Sequence, residues 1–169
     1  LEEYYDDFME SKSSILLLIG PPGTGKTTWI KGLLHHTSSN AIVTYDPAIL
    51  GKDYVFAEFI SGNTNVMDIE DADNFLRPRE DGNDLMHKFL NVGSGLISNS
   101  NKKLIFSTNL PNVRDIDEAL LRPGRCYDVL SFQPLSADDA KVLAEKIGVD
   151  INSVSCYNNA TIAEVFNQA

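Results

Sequence analysis

The chain has 169 residues, 43% of them hydrophobic, which suits one compact domain with one substantial core, with room for a small appendage. Its formal net charge of −10 offers no counterion release to a phosphate backbone and no basic run is visible, so direct nucleic-acid binding is not expected. Two cysteines, Cys126 and Cys156, make neither a disulfide framework nor a metal spacing and read as free thiols of an intracellular, cytoplasmic protein. The longest apolar run, Ile15–Ile19, is far short of the ~20 residues that span a bilayer.

The chain opens with LEEYYDDF, which has neither the basic nor the apolar region of a signal peptide and no initiator Met. Residues 1–13 are therefore expected to be a linker or short helix from a missing N-terminal region. SILLLIG at 14–20 is a continuous apolar run closed by Gly and two prolines, the pattern of a strand buried on both faces. From Lys26 the period changes, with Trp29, Ile30, Leu33 and Leu34 on one helical face. AIVTYD at 41–46 reads as a second strand, 47–64 as a loop with a short helix, and NVMDIE at 65–70 as a third strand. Leu85, Met86, Phe89, Leu90, Leu96 and Ile97 predict a helix over about 83–97, weakened near its end by Gly93 and Gly95. KLIFST at 103–108 and YDVLSFQ at 127–133 complete five strands. Strands alternating with helices predict an α/β sandwich around a mostly parallel sheet over 14–134. Beyond Pro134, Ser136 with Asp139 three residues on starts a helix, and NATIAEVFNQ is the last one, so 135–169 reads as a small helical lid.

GPPGTGKT at 20–27 satisfies G-x-x-x-x-G-K-[ST], directly after a strand and directly before a helix. Glycines there let backbone N–H groups converge on an anion, and the helix N-terminus adds its positive dipole end. The cradle runs through Pro22, Gly23, Thr24, Gly25, Lys26, Thr27 and Thr28; Lys26 reaches the outer phosphates, and the Thr27 hydroxyl is a Mg²⁺ ligand.

The third strand ends in Glu70 and Asp71, at the sheet edge where such ligands sit. One carboxylate is expected to hold Mg²⁺ and the other to orient the attacking water. Asp68 shares the strand face of Glu70 and is read either as a bond to a neighbouring strand end or as an outer acid of the metal site. The fourth strand brings Asn109 to the same edge, within reach of the γ-phosphate or the water. Arg122 and Arg125 follow in DEALLRPGRCYD; they are either surface arginines paired with Asp117 or Asp128, or they point toward a neighbouring protomer's nucleotide.

GPPGTGKT, the acidic pair, STN and DEALLRPGR together resemble the AAA proteins within the AAA+ ATPases, over about 14–168. The Glu-Asp order, with IEDAD, FLNVGSGLIS, IDEALLRPGR and TIAEVFN, is similar to the mitochondrial Rieske-protein translocase branch and its phage and bacterial relatives. The resemblance implies a P-loop NTPase three-layer sandwich around a five-stranded sheet with a reduced helical lid. It implies ATP/ADP and Mg²⁺ as cofactors, with Glu70 and Thr27 on the metal side, Asp71 orienting water, Asn109 as sensor, and Arg122 and Arg125 acting in trans. The partners implied are further copies in a ring, a hexamer or heptamer, and a protein substrate that is remodelled or translocated.

The chain departs from the family pattern in three places. Asn109 and Asp117 are two residues further apart than is common. The stretch holding Tyr54, Val55 and Phe56 is either an aromatic pore loop or core packing. No Lys or Arg follows Lys146, so the lid has no basic sensor. His35, His36 and His87 show no ligand spacing. An ATP-gated clamp or loader acting on a nucleic-acid complex, or a P-loop kinase of small molecules, are the alternative functions.

Overall fold

The computed structural model describes residues 1–83, 85–93, 101–153 and 159–167. In chain order, α1 (Glu2–Glu10) leads into β1 (Ile15–Ile19), α2 (Lys26–His36), β2 (Ala41–Thr44), α3 (Pro47–Leu50) and α4 (Asp53–Ser61). Then come β3 (Val66–Ile69), α5 (Asp73–Leu76), α6 (Met86–Gly93), β4 (Lys103–Thr108), β5 (Cys126–Ser131), α7 (Ala137–Ile147) and α8 (Ile162–Phe166). The sheet order is β2-β3-β4-β1-β5, and every neighbouring pair is parallel. All strand C-termini therefore open on one edge, which is where a ligand crevice forms.

β1 lies at the inner position between β4 and β5, and all five of its residues are buried. Its alternate side chains serve two layers, which is why the sequence shows an unbroken apolar run. Ile15, Leu17 and Ile19 join Met67, Ile69, Leu104 and Phe106 under α4, α5 and α6. Leu16 and Leu18 join Val66 and Ile105 under α1 and α2, through Tyr5, Phe8, Ile30 and Leu33. Each such aliphatic side chain contributes about 1.5–3 kcal/mol by leaving water. The fold is thus the expected three-layer α/β sandwich. A third cluster of Ala140, Ala144, Val149, Ala160 and Val165 holds α7 and α8 together.

Residues 1–13 take the helical alternative: α1 docks through Tyr5 and Phe8, and the fully buried Lys103 of β4 ties its end down. Lys103 Nζ donates to the carbonyls of Ser11 and Ser13 at 2.7 and 2.9 Å. The segment after β2 is more helical than predicted, because Val55, Phe56 and Phe59 form one apolar face of α4 and all three are buried. Of the three pore-loop candidates, Val55 and Phe56 are therefore core; Tyr54 is 63% exposed, with Lys52 Nζ 5.9 Å from its ring centroid. α6 begins at Met86 rather than 83, and Leu96 and Ile97 lie outside the described residues, as does Cys156. Cys126 is a free, half-buried thiol. Among the described residues, no helix is long and apolar enough to cross a membrane, and no three His, Cys, Asp or Glu side chains cluster as metal ligands.

Candidate functional site

The loop after β1 is shaped by close backbone approach. Gly20 has φ +154°, and a Cβ there would sit 2.2 Å from the Phe132 carbonyl oxygen, so only glycine fits. Gly25, at φ +99°, is the N-cap of α2 and supplies no capping side chain. The first-turn N–H groups of Lys26, Thr27 and Thr28 have no intrahelical acceptor and lie at the positive end of an 11-residue helix. That is a cradle for an anion.

This cradle is one wall of a cavity of about 880 Å³. Pro22 through Thr28, Glu70, Asp71 and Asn109 all line it, so the structure gathers the predicted phosphate residues and the predicted acids around one space. Thr27 and Thr28 are exposed within it, and Thr24 is buried, its hydroxyl donating to the Pro21 carbonyl at 2.8 Å. Lys26 is buried. Its Nζ donates to the carbonyls of Gly20 and Pro21 at 2.6 and 2.8 Å and to Asn109 Oδ1 at 3.2 Å. Burial pulls its pKa below the ordinary lysine value, opposed by the charges of Asp71 and Asp73. The hydroxyl of Thr27 and the carboxylate of Glu70 are oxygen donors on this one cavity, the donor type Mg²⁺ takes. The residues present therefore fit both a nucleotide phosphate chain and its metal.

Asp71 has φ +50°, the left-handed region that Asp tolerates better than most side chains, at a cost of roughly 1–2 kcal/mol. The turn it makes ends β3 and sends the Ala72 N–H to the Ser107 carbonyl at 2.9 Å, which starts α5. Asp68 is only 2% exposed and lies on the Val66 face, toward α2. Its Oδ1 accepts no hydrogen bond, and burial, with Glu70 adding, pushes its pKa up to about 7. It does not face solvent.

Sequence reasoning missed Asp73. Its Oδ1 accepts from Thr108 Oγ1 at 2.6 Å and from the Asn109 N–H at 3.0 Å, and so fixes the residue that touches Lys26. An acid two residues after Asp71 was the available signal. Also missed were the walls contributed by Tyr5 and Trp29 and by the lid: Ile162, Ala163 and Phe166 line the cavity, and the Ala163 N–H donates to the Gly23 carbonyl at 3.1 Å.

Neither Arg122 nor Arg125 lines the cavity, and neither pairs with Asp117 or Asp128. Asp117 pairs with Arg79 at 3.0 Å, and Asp128 accepts from the Tyr4 hydroxyl at 2.9 Å. The Arg122 side chain is exposed, with no hydrogen bond or ion pair to the described residues. Arg125 is folded back: its Nη1 donates to the Ala119 carbonyl, and its Nε is buried without an acceptor.

The chain is similar in sequence to known proteins. The chain is 28% identical to the 26S proteasome regulatory subunit 8 homolog of Schizosaccharomyces pombe, over 91% of this chain and 42% of that protein. It is 26% identical to the 26S proteasome regulatory subunit 8 of Caenorhabditis elegans, over 98% of this chain and 43% of the relative. Protein SAV of Sulfolobus acidocaldarius is 26% identical over 91% of this chain and 21% of its own length. The chain thus spans about two fifths of the proteasomal relatives. A family match covers residues 16–134, from β1 through β5 to the start of the lid, and on it the chain belongs to the ATPase family associated with various cellular activities, AAA.

Proposed function

We propose that this chain is the ATP-hydrolysing module of a ring of protomers, a hexamer or heptamer, that turns Mg²⁺-dependent hydrolysis into remodelling or translocation of a protein substrate in the cytoplasm. The observation that carries it is the division of the machinery. Lys26, Thr27, Glu70, Asp71 and Asn109 share one cavity, while Arg122 stands outside it and exposed. A site that holds the phosphates but no arginine of its own is completed by a neighbour's. The Glu-Asp order supports a place near the Rieske-protein translocase branch, and proteasomal relatives support a protein substrate.

The backbone N–H groups of 26–28 bind the phosphate oxygens, and Lys26 moves between its loop carbonyls and the outer phosphates. Thr27 and Glu70 would hold Mg²⁺, which would supply charge stabilisation to the phosphate oxygens. Asp71 orients the water. One methylene shorter than Glu, it has its reach set by the left-handed turn at its own α-carbon. Asn109, fixed by Asp73, senses the γ-phosphate side of the site. Arg122 and Arg125 serve the neighbour: Arg122 by contact, at a rate gain of ~10³–10⁵ for such an arginine, and Arg125 by bracing the loop.

The kinase alternative has little support, since the lid walls the cavity with Ile162, Ala163 and Phe166 rather than with arginines. Phosphate release per protomer should rise with protein concentration, and Arg122→Ala should abolish that rise while ATP affinity stays within about threefold. A rate that is independent of concentration and indifferent to Arg122→Ala would refute the ring. Tight ATP binding with no phosphate release by the wild type would instead mark a nucleotide-gated clamp.

A further inference from the structure

Outside the cavity, an ion pair joins the buried carboxylate of Asp117 to the exposed side chain of Arg79. The Asp117 carboxylate is 5% exposed and fully engaged: Oδ1 accepts the Ala119 N–H at 2.9 Å, and Oδ2 accepts both the N–H and the Nε of Arg79, at 3.1 and 3.0 Å. Burial alone would raise its pKa, but these three hydrogen bonds and the charge of Arg79 outweigh it and hold the acid below its ordinary range. With the Arg79 side chain 41% exposed, the pair adds little to stability, so its main effect is on geometry.

That geometry joins two segments. On one side is α5, which begins at Asp73, the residue bonded to Thr108 and Asn109, and ends at Leu76, whose carbonyl accepts the Asp117 N–H at 2.7 Å. On the other side is the loop 119–126. Its base is pinned by Asp117 on Ala119, and it is closed by Arg125 on the Ala119 carbonyl. The Arg122 carbonyl accepts the N–H groups of Arg125 and Cys126, both at 3.1 Å, so Arg122 stands at the apex. Hydrogen bonds and one short helix thus run without a gap from Lys26 through Asn109, Asp73, α5 and Asp117 to the loop that carries Arg122.

We propose that Arg79 and Asp117 are positioning residues, which tie the corner behind this protomer's acidic pair to the arginine loop and thereby set where Arg122 meets a neighbouring protomer's nucleotide. The inference rests on the trans role of Arg122. In the intact protein, Arg79→Ala should cut phosphate release at saturating ATP about 10- to 100-fold, the penalty of a misplaced group, with affinity for a fluorescent ATP analogue within about twofold of wild type. A mixing experiment reads the direction of the defect. Arg79→Ala protomers keep a sound pocket and offer a poor arginine; Lys26→Ala protomers offer a sound arginine and have no pocket. Mixed one to one, they should recover turnover severalfold over either alone, whereas Arg79→Ala mixed with Arg122→Ala should recover none.

Turnover within about twofold of wild type, loss of nucleotide affinity in Arg79→Ala, or no recovery with Lys26→Ala would each overturn the proposal. Asp117→Asn, which keeps the shape and loses the charge, should repeat the pattern and guards against a folding defect peculiar to Arg79→Ala. If Arg122→Ala alone leaves turnover unchanged, it is the trans reading that fails, whatever Arg79→Ala does.

Discussion

Exchanging Lys103 for Met removes an ammonium group held wholly inside the protein, between Ser11, Ser13 and the ring of Phe8, whose centroid is 5.0 Å away. None of its partners is an anion, and burial pulls its pKa down from 10.5 to about 8. Between these values the unfolded chain binds a proton that the folded chain has released. Unfolding free energy therefore rises with pH from about 8 to 10.5 and is flat below. With a folded value near 8, the gain from pH 7 to pH 9 is on the order of 1 kcal/mol. Cys126 acts in the opposite sense, because burial raises its pKa from 9.0 to about 11, and it offsets a smaller part of that gain by pH 9. Since Lys103→Met retains Cys126, the difference between the two proteins isolates the lysine. Urea unfolding at pH 7 and pH 9 should show the wild type gaining on the order of 1 kcal/mol relative to Lys103→Met. Equal pH slopes for the two proteins would refute the assignment of a buried, charged lysine at this position.

Two further outcomes follow from the site geometry. Asp73→Ala frees both Thr108 and the Asn109 N–H, so phosphate release should fall by roughly 10- to 100-fold while titration with an ATP analogue changes little; a matching loss of affinity would mean that Asp73 only supports the fold. Gly20→Ala forces a Cβ against the Phe132 carbonyl and strains φ, and should cost about 3 kcal/mol or more. A thermal midpoint within ~2 °C of wild type would contradict it.

The contiguous parts of the site were legible in the sequence, and the distant pairings were not. GPPGTGKT carries its own geometry, because the glycines, the lysine and the helix start are adjacent in the chain. β1 and the centre of β4, Leu104 to Phe106, could be read from apolar runs, since burial on both faces favours apolar residues there. Asp73 looked like one more acid in an acidic chain. Its meaning comes from Thr108 and Asn109, some 35 residues away. Arg79 and Asp117 are separated by 38 positions and show no pattern that would announce a bond. α1 was ambiguous because Tyr5 and Phe8 alone do not reveal the surface that receives them. The two arginines looked equivalent by spacing, and only the fold separates the exposed Arg122 from the folded-back Arg125.

The lid carries its own core, and none of that core's buried members belongs to either cluster on the sheet. It is joined to the sheet through a short connection, from Phe132, whose N–H bonds the Ile19 carbonyl at 2.7 Å, to Leu135, whose N–H bonds the Ala160 carbonyl at 2.8 Å. To swing, a wall packed in this way would give up the Ala163–Gly23 hydrogen bond and its packing on the loop glycines, but would keep its own core. The cavity lies where the last helix meets the loop after β1. On the proposed function, an occupant with three phosphates or two would act as a spacer whose length sets an angle, and the lid would be the lever arm that carries that angle away from the site of chemistry.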